Sequence, residues 1–276
     1  MQIVKNKSWL VRNAAWLQRR LKYGVAAPMM GWLVRYTPLL DGQGEPPRAI
    51  NYSAAGDYVP QGDEIINRLH DDFDLTDGCR VLDIGCGIGR LATAFHRKGS
   101  RIRYDGFDIV KYGVEWCTKT IPPAEGYTFK HADVHNPFYN PWGKIAARTY
   151  RFPYPENSFD LAIAVSVFTH LLEPETRAYF EQAMRVLDVG GKTYFTTFLI
   201  PEHIPDNRNF SFRHQIDEAY VERLEEPEMA VGYTLAFWQA MAEANNARLV
   251  QINRGSWTGA AGLPDYQDCL IFEKLA

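Results

Sequence analysis

The sequence predicts an α/β protein: a doubly wound, mostly parallel sheet with helices on both faces, preceded by a helical N-terminal extension. Three observations carry this expectation. Val81-Leu82-Asp83-Ile84 runs into Gly85-Cys86-Gly87-Ile88-Gly89, and a helical pattern follows from Arg90 to about Arg97. Such an order describes a buried strand that turns through a loop nearly bare of side chains into a helix. Residues 158–167 are almost wholly apolar, as in a strand covered on both faces. Strand-like and helix-like segments then keep alternating, which builds a parallel sheet with helices on either side.

Each element follows in order. A helix is expected at about 59–70. The first strand ends at the glycine turn, and Arg103 to Asp108 forms a second strand with a carboxylate at its tip. Tyr127 to Asp133 is the third strand and Ser158 to Val167 the fourth. Pro174 to Leu187 has helical spacing, with Gly190-Gly191 as its stop. Thr193 to Ile200, β-branched and aromatic, is the fifth strand. A helix is read from Glu228 to Ala244, and Arg248–Asn253 and Gln267–Phe272 supply two last strands. The division expected is an extension at 1–49 and one domain at 50–276, with insertions at about 134–157 and 201–227.

The turn also points to chemistry. Helix amides after Gly89 face back onto the loop and make an electropositive floor for a small ligand with an anionic or polar tail. Asp108 lies 19 residues after Gly89. A carboxylate at a strand tip about 20 residues past such a turn accepts both ribose hydroxyls of a nucleoside. A dinucleotide fingerprint would need its third glycine where Arg90 stands, so NAD and FAD fit poorly.

The D-x-G-x-G-x-G order from Asp83 to Gly89 resembles motif I of class I S-adenosylmethionine-dependent methyltransferases. The wider pattern, Asn51-Tyr52-Ser53-Ala54-Ala55-Gly56-Asp57-Tyr58 with Tyr150–Pro155 and Ser166–Leu171, looks like a group of bacterial methyltransferases associated with sugar, glycan or secondary-metabolite acceptors. This resemblance implies a Rossmann-like, seven-stranded sheet whose last strand inserts antiparallel. It implies S-adenosyl-L-methionine as cofactor, leaving as S-adenosyl-L-homocysteine. Asp83, Gly85, Gly87 and Gly89 would pack against the methionine part, Asp108 would hold the ribose, and Asp133 would meet the adenine amino group. Ser166 would line the cofactor site from the end of the fourth strand. Tyr52 would reach it from a segment that relatives fold over the cofactor. In isolation each carboxylate also reads as a loop acid or helix cap. Tyr52 also reads as packing under a helix that Ser53 or Asp57 starts.

The expected function is O-methylation of a hydroxylated small molecule, sugar or natural product. Methyl transfer is an in-line displacement, and a hydroxyl nucleophile gains from a base that takes its proton. His170, just past the fourth strand, is the candidate base; its alternative is to cap or pack the next helix. His135, Tyr139 and Arg151 in the first insertion, and His203, Arg213 and His214 in the second, are acceptor-side candidates. Aromatic faces beside polar tips suit a sugar or polyol. Arg90, Arg151 and Arg213 would each meet an anionic acceptor. N- or C-methylation, a lipid-linked or envelope-glycan acceptor, and a non-catalytic adenosine-nucleotide-binding module are the alternatives. No acidic clustering calls for a metal.

The first 40 residues differ in kind, with seven basic residues and no acidic one, against 23 basic and 33 acidic in the remainder. Leu10, Ala14, Leu17 and Leu21 form a stripe with Trp9, Trp16 and Tyr23 beside it. Such a helix lies in a membrane interface; it equally caps its own domain or a partner subunit, its bases touching the acidic body. The acidic body argues against nucleic acid. The four cysteines, Cys79, Cys86, Cys117 and Cys269, lack metal-ligand or C-x-x-C spacing. With no spanning stretch and no signal-peptide h-region, the expected location is cytoplasmic, or peripheral to a membrane through residues 1–40.

Overall fold

The computed structural model describes residues 26–36, 45–48, 50–52, 58–121, 126–203, 210–263 and 265–276. The stripe from Trp9 to Tyr23 and the Ser53 and Asp57 cap lie outside them. Ten strands form one sheet. Strands β1 (Arg80–Ile84), β2 (Arg103–Asp108), β3 (Tyr127–His131), β4 (Phe159–Ala164) and β5 (Leu187–Ile200) run parallel in the order β3-β2-β1-β4-β5. Beyond β5 lies β10 (Asp268–Lys274), antiparallel, and then β9 (Ala247–Asn253). These seven are the expected sheet with its antiparallel last strand.

Three further strands extend it. β8 (Val231–Thr234) pairs parallel with the tip of β5, followed by β7 (Ala219–Val221) and β6 (His214–Ile216), both antiparallel. Two expectations are corrected by these strands. The insertion at 201–227, expected to carry acceptor-side residues, adds β6 and β7 to the sheet. The helix read from Glu228 starts only at Leu235, since Pro227–Met229 is a single 3-10 turn and 231–234 is strand. Packing decides this, because a Cβ on Gly232 would come within 2.5 Å of Ile200 Cδ1, so only glycine lets β8 lie against β5. The expected glycine stop is also corrected: the helix ends at Val186, and Gly190 and Gly191 sit in a bulge of β5. There the register jumps from Phe159↔Leu187 to Leu161↔Lys192.

The helices are α1 (Ala26–Tyr36), α2 (Tyr58–Asp72), α3 (Arg90–Arg97), α4 (Lys111–Thr120), α5 (Glu173–Val186) and α6 (Leu235–Ala244). One layer of the core joins Phe107, Phe159, Phe180, Phe195, Trp238 and Phe272; the other joins Ile66, Leu69, Phe95, Tyr104 and Tyr194. Each such side chain contributes roughly 1.5–3 kcal/mol by leaving water. The 134–157 insertion is also largely core. Phe138, Tyr150, Phe152 and Tyr154 are buried, Phe152 lies 4.8 Å from Phe107, and Arg185 donates to the carbonyls of Phe152 and Tyr154. These four aromatics hold the insertion down against the core, while Tyr139 and Trp142 of the same insertion line cavities. α1 packs on α4 through buried Val34, Tyr112 and Trp116 and an Arg35–Glu115 ion pair. No described helix is long and apolar enough to cross a membrane.

Candidate cofactor and acceptor site

A cavity of about 350 Å³ opens at the carboxyl ends of the parallel strands. Its floor is the β1–α3 turn, where Gly85, Gly87 and Gly89 all take positive φ (70°, 61° and 81°). At Gly85 glycine is obligatory, since a Cβ would lie 2.6 Å from Val167 Cγ2 as well as in the left-handed region. At one end, Asp108 accepts from the Gly87 amide (2.9 Å), the Val110 amide (2.7 Å) and the Tyr52 hydroxyl (3.2 Å). Burial raises the Asp108 pKa, and these donors oppose that shift. Burial likewise pushes the Tyr52 phenol up. Tyr52 reaches Asp108 past Gly113, where a Cβ would come within 2.3 Å of its hydroxyl. Apolar Ile109, Val110 and Val134 complete this end.

Toward β4 the wall turns polar. Asp83, 2% exposed, accepts from the Tyr104 hydroxyl, and burial lifts its carboxyl to about 7. The half-buried Arg90 donates to Gln61 (2.6 Å), and burial lowers its pKa. Ser166 has φ 58°, its amide donates to Thr196 Oγ1 (2.7 Å), and its hydroxyl donates to Gln267 Oε1 (3.0 Å). A non-glycine residue in that conformation stores strain that the two hydrogen bonds offset.

Across the cavity, His170 closes the 3-10 turn Phe168–His170, with its ring edge-on to Tyr139 at 5.9 Å. Nδ1 lies 2.8 Å from the carbonyl oxygen of Glu228. A carbonyl only accepts, so Nδ1 carries the proton and Nε2 holds the basic lone pair.

The cavity therefore joins Tyr52, Asp83, Gly85, Gly87, Asp108, Ser166, His135, Tyr139 and His170. Six expected site residues do not line it. Gly89 is buried behind the turn, its Cβ position 2.7 Å from Cys117 Sγ, so it shapes the turn instead. Asp133 holds the insertion, its carbonyl accepting from the amides of Lys144 (2.9 Å) and Ile145 (3.0 Å), while the next three residues, Val134, His135 and Asn136, face the cavity. Arg151 is exposed beside Glu156 at 3.7 Å. His203, Arg213 and His214 are exposed on the sheet extension or just before it. Sequence reasoning missed Gln267, Asn136, Ile109 and Val110. The last two follow Asp108 directly and were findable from it. Among the described residues no group of three or more His, Cys, Asp and Glu side chains is placed to hold a metal ion.

A second cavity of about 480 Å³ adjoins the first and shares Ile109, Val110 and Tyr139 with it. Its rim carries the exposed aromatics Trp32, Tyr36 and Trp142, with Arg35, Lys111 and Asn140 among them.

The residues fit an adenosyl ligand: bare backbone where a Cβ would intrude, a buried acid at the tip of β2 between apolar walls, and a polar far end. Comparison with known proteins agrees. A family model described as a methyltransferase domain matches residues 82–195. The 27-O-demethylrifamycin SV methyltransferase of Amycolatopsis mediterranei is 29% identical over 209 residues, covering 71% of this chain and 66% of that protein. A fatty-acid O-methyltransferase of Mycolicibacterium smegmatis is 28% identical over 120 residues, 44% of this chain and 37% of that one. A sterol 24-C-methyltransferase of Gibberella zeae is 27% identical over 139 residues, 50% and 32% respectively. The chain thus spans from about a third to about two thirds of the length of these relatives. Among solved structures, the [4+2]-cyclase SpnF superposes with a TM-score of 0.53 at 18% identity, over 91% of this chain and 97% of that one. A putative sarcosine dimethylglycine methyltransferase from Galdieria sulphuraria gives 0.53 at 14%, over 78% and 84%. These two likenesses speak to the fold. With the strand order, the glycine floor and the match over 82–195 together, this part of the chain is a methyltransferase domain on a Rossmann-like fold, with S-adenosylmethionine as its cofactor.

Proposed function

We propose that this chain methylates an oxygen of a hydroxylated small molecule, sugar or natural product, with His170 as the base. Bound S-adenosylmethionine supplies an electrophilic methyl carbon on a sulfonium. Asp108, Tyr52 and the Gly85–Gly87 backbone hold it against the turn, and the surrounding walls keep water out of the line of attack. His170 Nε2 accepts the proton of the acceptor hydroxyl. The observation that carries this reading is the Glu228 carbonyl on Nδ1, which fixes the ring in the tautomer a base requires. The acceptor extends past Tyr139 into the second cavity, where Trp32, Tyr36 and Trp142 offer stacking faces beside Asn140 and Lys111. In the described part of the extension, α1 lies against its own domain. This supports a role in enclosing the acceptor over one in holding the chain at a membrane.

The acceptor is found by comparing small molecules from the host with and without this chain, and the reaction is followed by transfer of labelled methyl. His170→Ala is expected to lower kcat by about 10²-fold or more with S-adenosylhomocysteine affinity unchanged. A loss below about tenfold would remove the base and favour N-methylation or C-methylation, the latter represented by the sterol-methylating relative. Binding without label transfer to any host fraction would favour a non-transferring role on this fold, as the cyclase SpnF illustrates.

A further inference from the structure

Gln267 precedes β10 and lies 72 residues beyond the segment that the family model matches. It nevertheless lines the first cavity. Its Oε1 accepts from two hydroxyls, Ser166 Oγ at 3.0 Å and Thr196 Oγ1 at 2.7 Å. Thr196 Oγ1 itself accepts from the Ser166 amide, which leaves its own proton for Gln267. In this arrangement the amide turns its oxygen toward the two hydroxyls and its nitrogen away from them. Among the described residues Nε2 has no hydrogen-bond partner, and the residue is only half-buried, so the nitrogen is accessible at the wall it lines. Three strands contribute to this arrangement, with Ser166 after β4, Thr196 on β5 and Gln267 before β10. An amide held so firmly on one side and unpartnered on the other is a donor prepared for a ligand.

The surroundings identify the ligand group. Asp108 marks the nucleoside end at the tip of β2, and Ser166 follows β4, two strand spacings away, roughly 10 Å. Arg90 lines the same cavity beside Asp83. It bonds Gln61 on α2, and Arg68, two turns further along α2, bonds Asp265 at 2.6 Å, two residues before Gln267. One helix therefore contacts both Arg90 and the segment that leads into Gln267. A cation and an amide donor beyond the sulfonium position suit a carboxylate.

We infer that Gln267 is a cofactor-binding residue whose Nε2 donates to the carboxylate of the amino-acid arm of the bound adenosyl ligand. This rests on the proposed cofactor and adds a contact outside the family's matched segment. The test is calorimetric binding of two probes, S-adenosylhomocysteine and 5′-methylthioadenosine; the second lacks the amino-acid arm. Gln267→Leu is expected to weaken S-adenosylhomocysteine by about tenfold or more, the effect of a hydrogen bond to a charged group. It should leave 5′-methylthioadenosine within about twofold. Gln267→Glu keeps an oxygen for the Ser166 and Thr196 hydroxyls but sets an anion against the carboxylate. It should show the same selectivity, and it decides the question if Gln267→Leu does not fold. Equal losses on both probes, or no loss on either, would overturn the inference. Failure of the unaltered chain to bind S-adenosylhomocysteine at all would instead overturn the cofactor reading, and this contact with it.

Discussion

Asp83 is a carboxyl that the fold prefers neutral. Buried beneath the glycine turn beside Tyr104 and near Asp108 and Arg90, it titrates at about 7, where an unburied aspartate titrates at 3.8. A raised folded pKa means that its stabilisation is complete below the unfolded value and is lost as pH rises through the folded one. Without ligand, Tm should therefore fall between about pH 4 and pH 8 on this group's account, and Asp83→Asn should flatten that slope in thermal melts. Burial raises the Asp108 pKa as well, but there two amides and a phenol oppose the shift. Asp108→Ala should weaken S-adenosylhomocysteine binding by about tenfold or more in calorimetry, one lost charge-assisted bond accounting for that much. Tyr52→Phe, which removes one donor to Asp108, should cost less. Both acids were legible in the sequence, because a glycine turn and a spacing of about 20 residues fix where they must stand. Arg151, His203, Arg213 and His214 were misplaced because composition shows that a loop is polar and aromatic, not which side faces the ligand. Gln267 carried no signal: its role depends on hydroxyls 101 and 71 residues away.

Among elements, α4 and β8 show where periodicity falls short. β8 is four residues long and extended only because Gly232 lets it lie against Ile200. Its residues continue the helical spacing of α6, so tertiary pairing overrode the local pattern. α4 was not assigned from sequence, yet Gly113 within it admits Tyr52 to Asp108. Gly113→Ala should displace Tyr52 and also crowd the Gly87 carbonyl, 3.0 Å from the added carbon. The expected readout is weaker S-adenosylhomocysteine binding with a smaller change in Tm than a core truncation causes. α1 gives a second prediction. It covers Tyr112 and Trp116, which are buried in the whole chain. A version beginning at Gly42 should melt several degrees lower, each lost kcal/mol lowering Tm by about 2–4 °C in a chain approaching this size. An unchanged Tm would show that α1 is dispensable to the domain.

For the molecule as a whole, the sheet was the most legible part. Strand order follows from an alternation that permits few topologies, and the antiparallel β10 came with the family resemblance. What the sequence could not reveal is that the cavity draws on residues from 52 to 267, and that a second cavity adjoins it behind Tyr139. A ligand bound to the folded state alone stabilises it by about 2.7 kcal/mol at a hundredfold excess over Kd. S-adenosylhomocysteine should accordingly raise Tm by roughly 5–10 °C. The most direct measurement is calorimetric titration of the full chain with S-adenosylmethionine. Saturable one-to-one binding well below millimolar, lost in Asp108→Ala, is the predicted result; no heat at millimolar ligand would contradict the account.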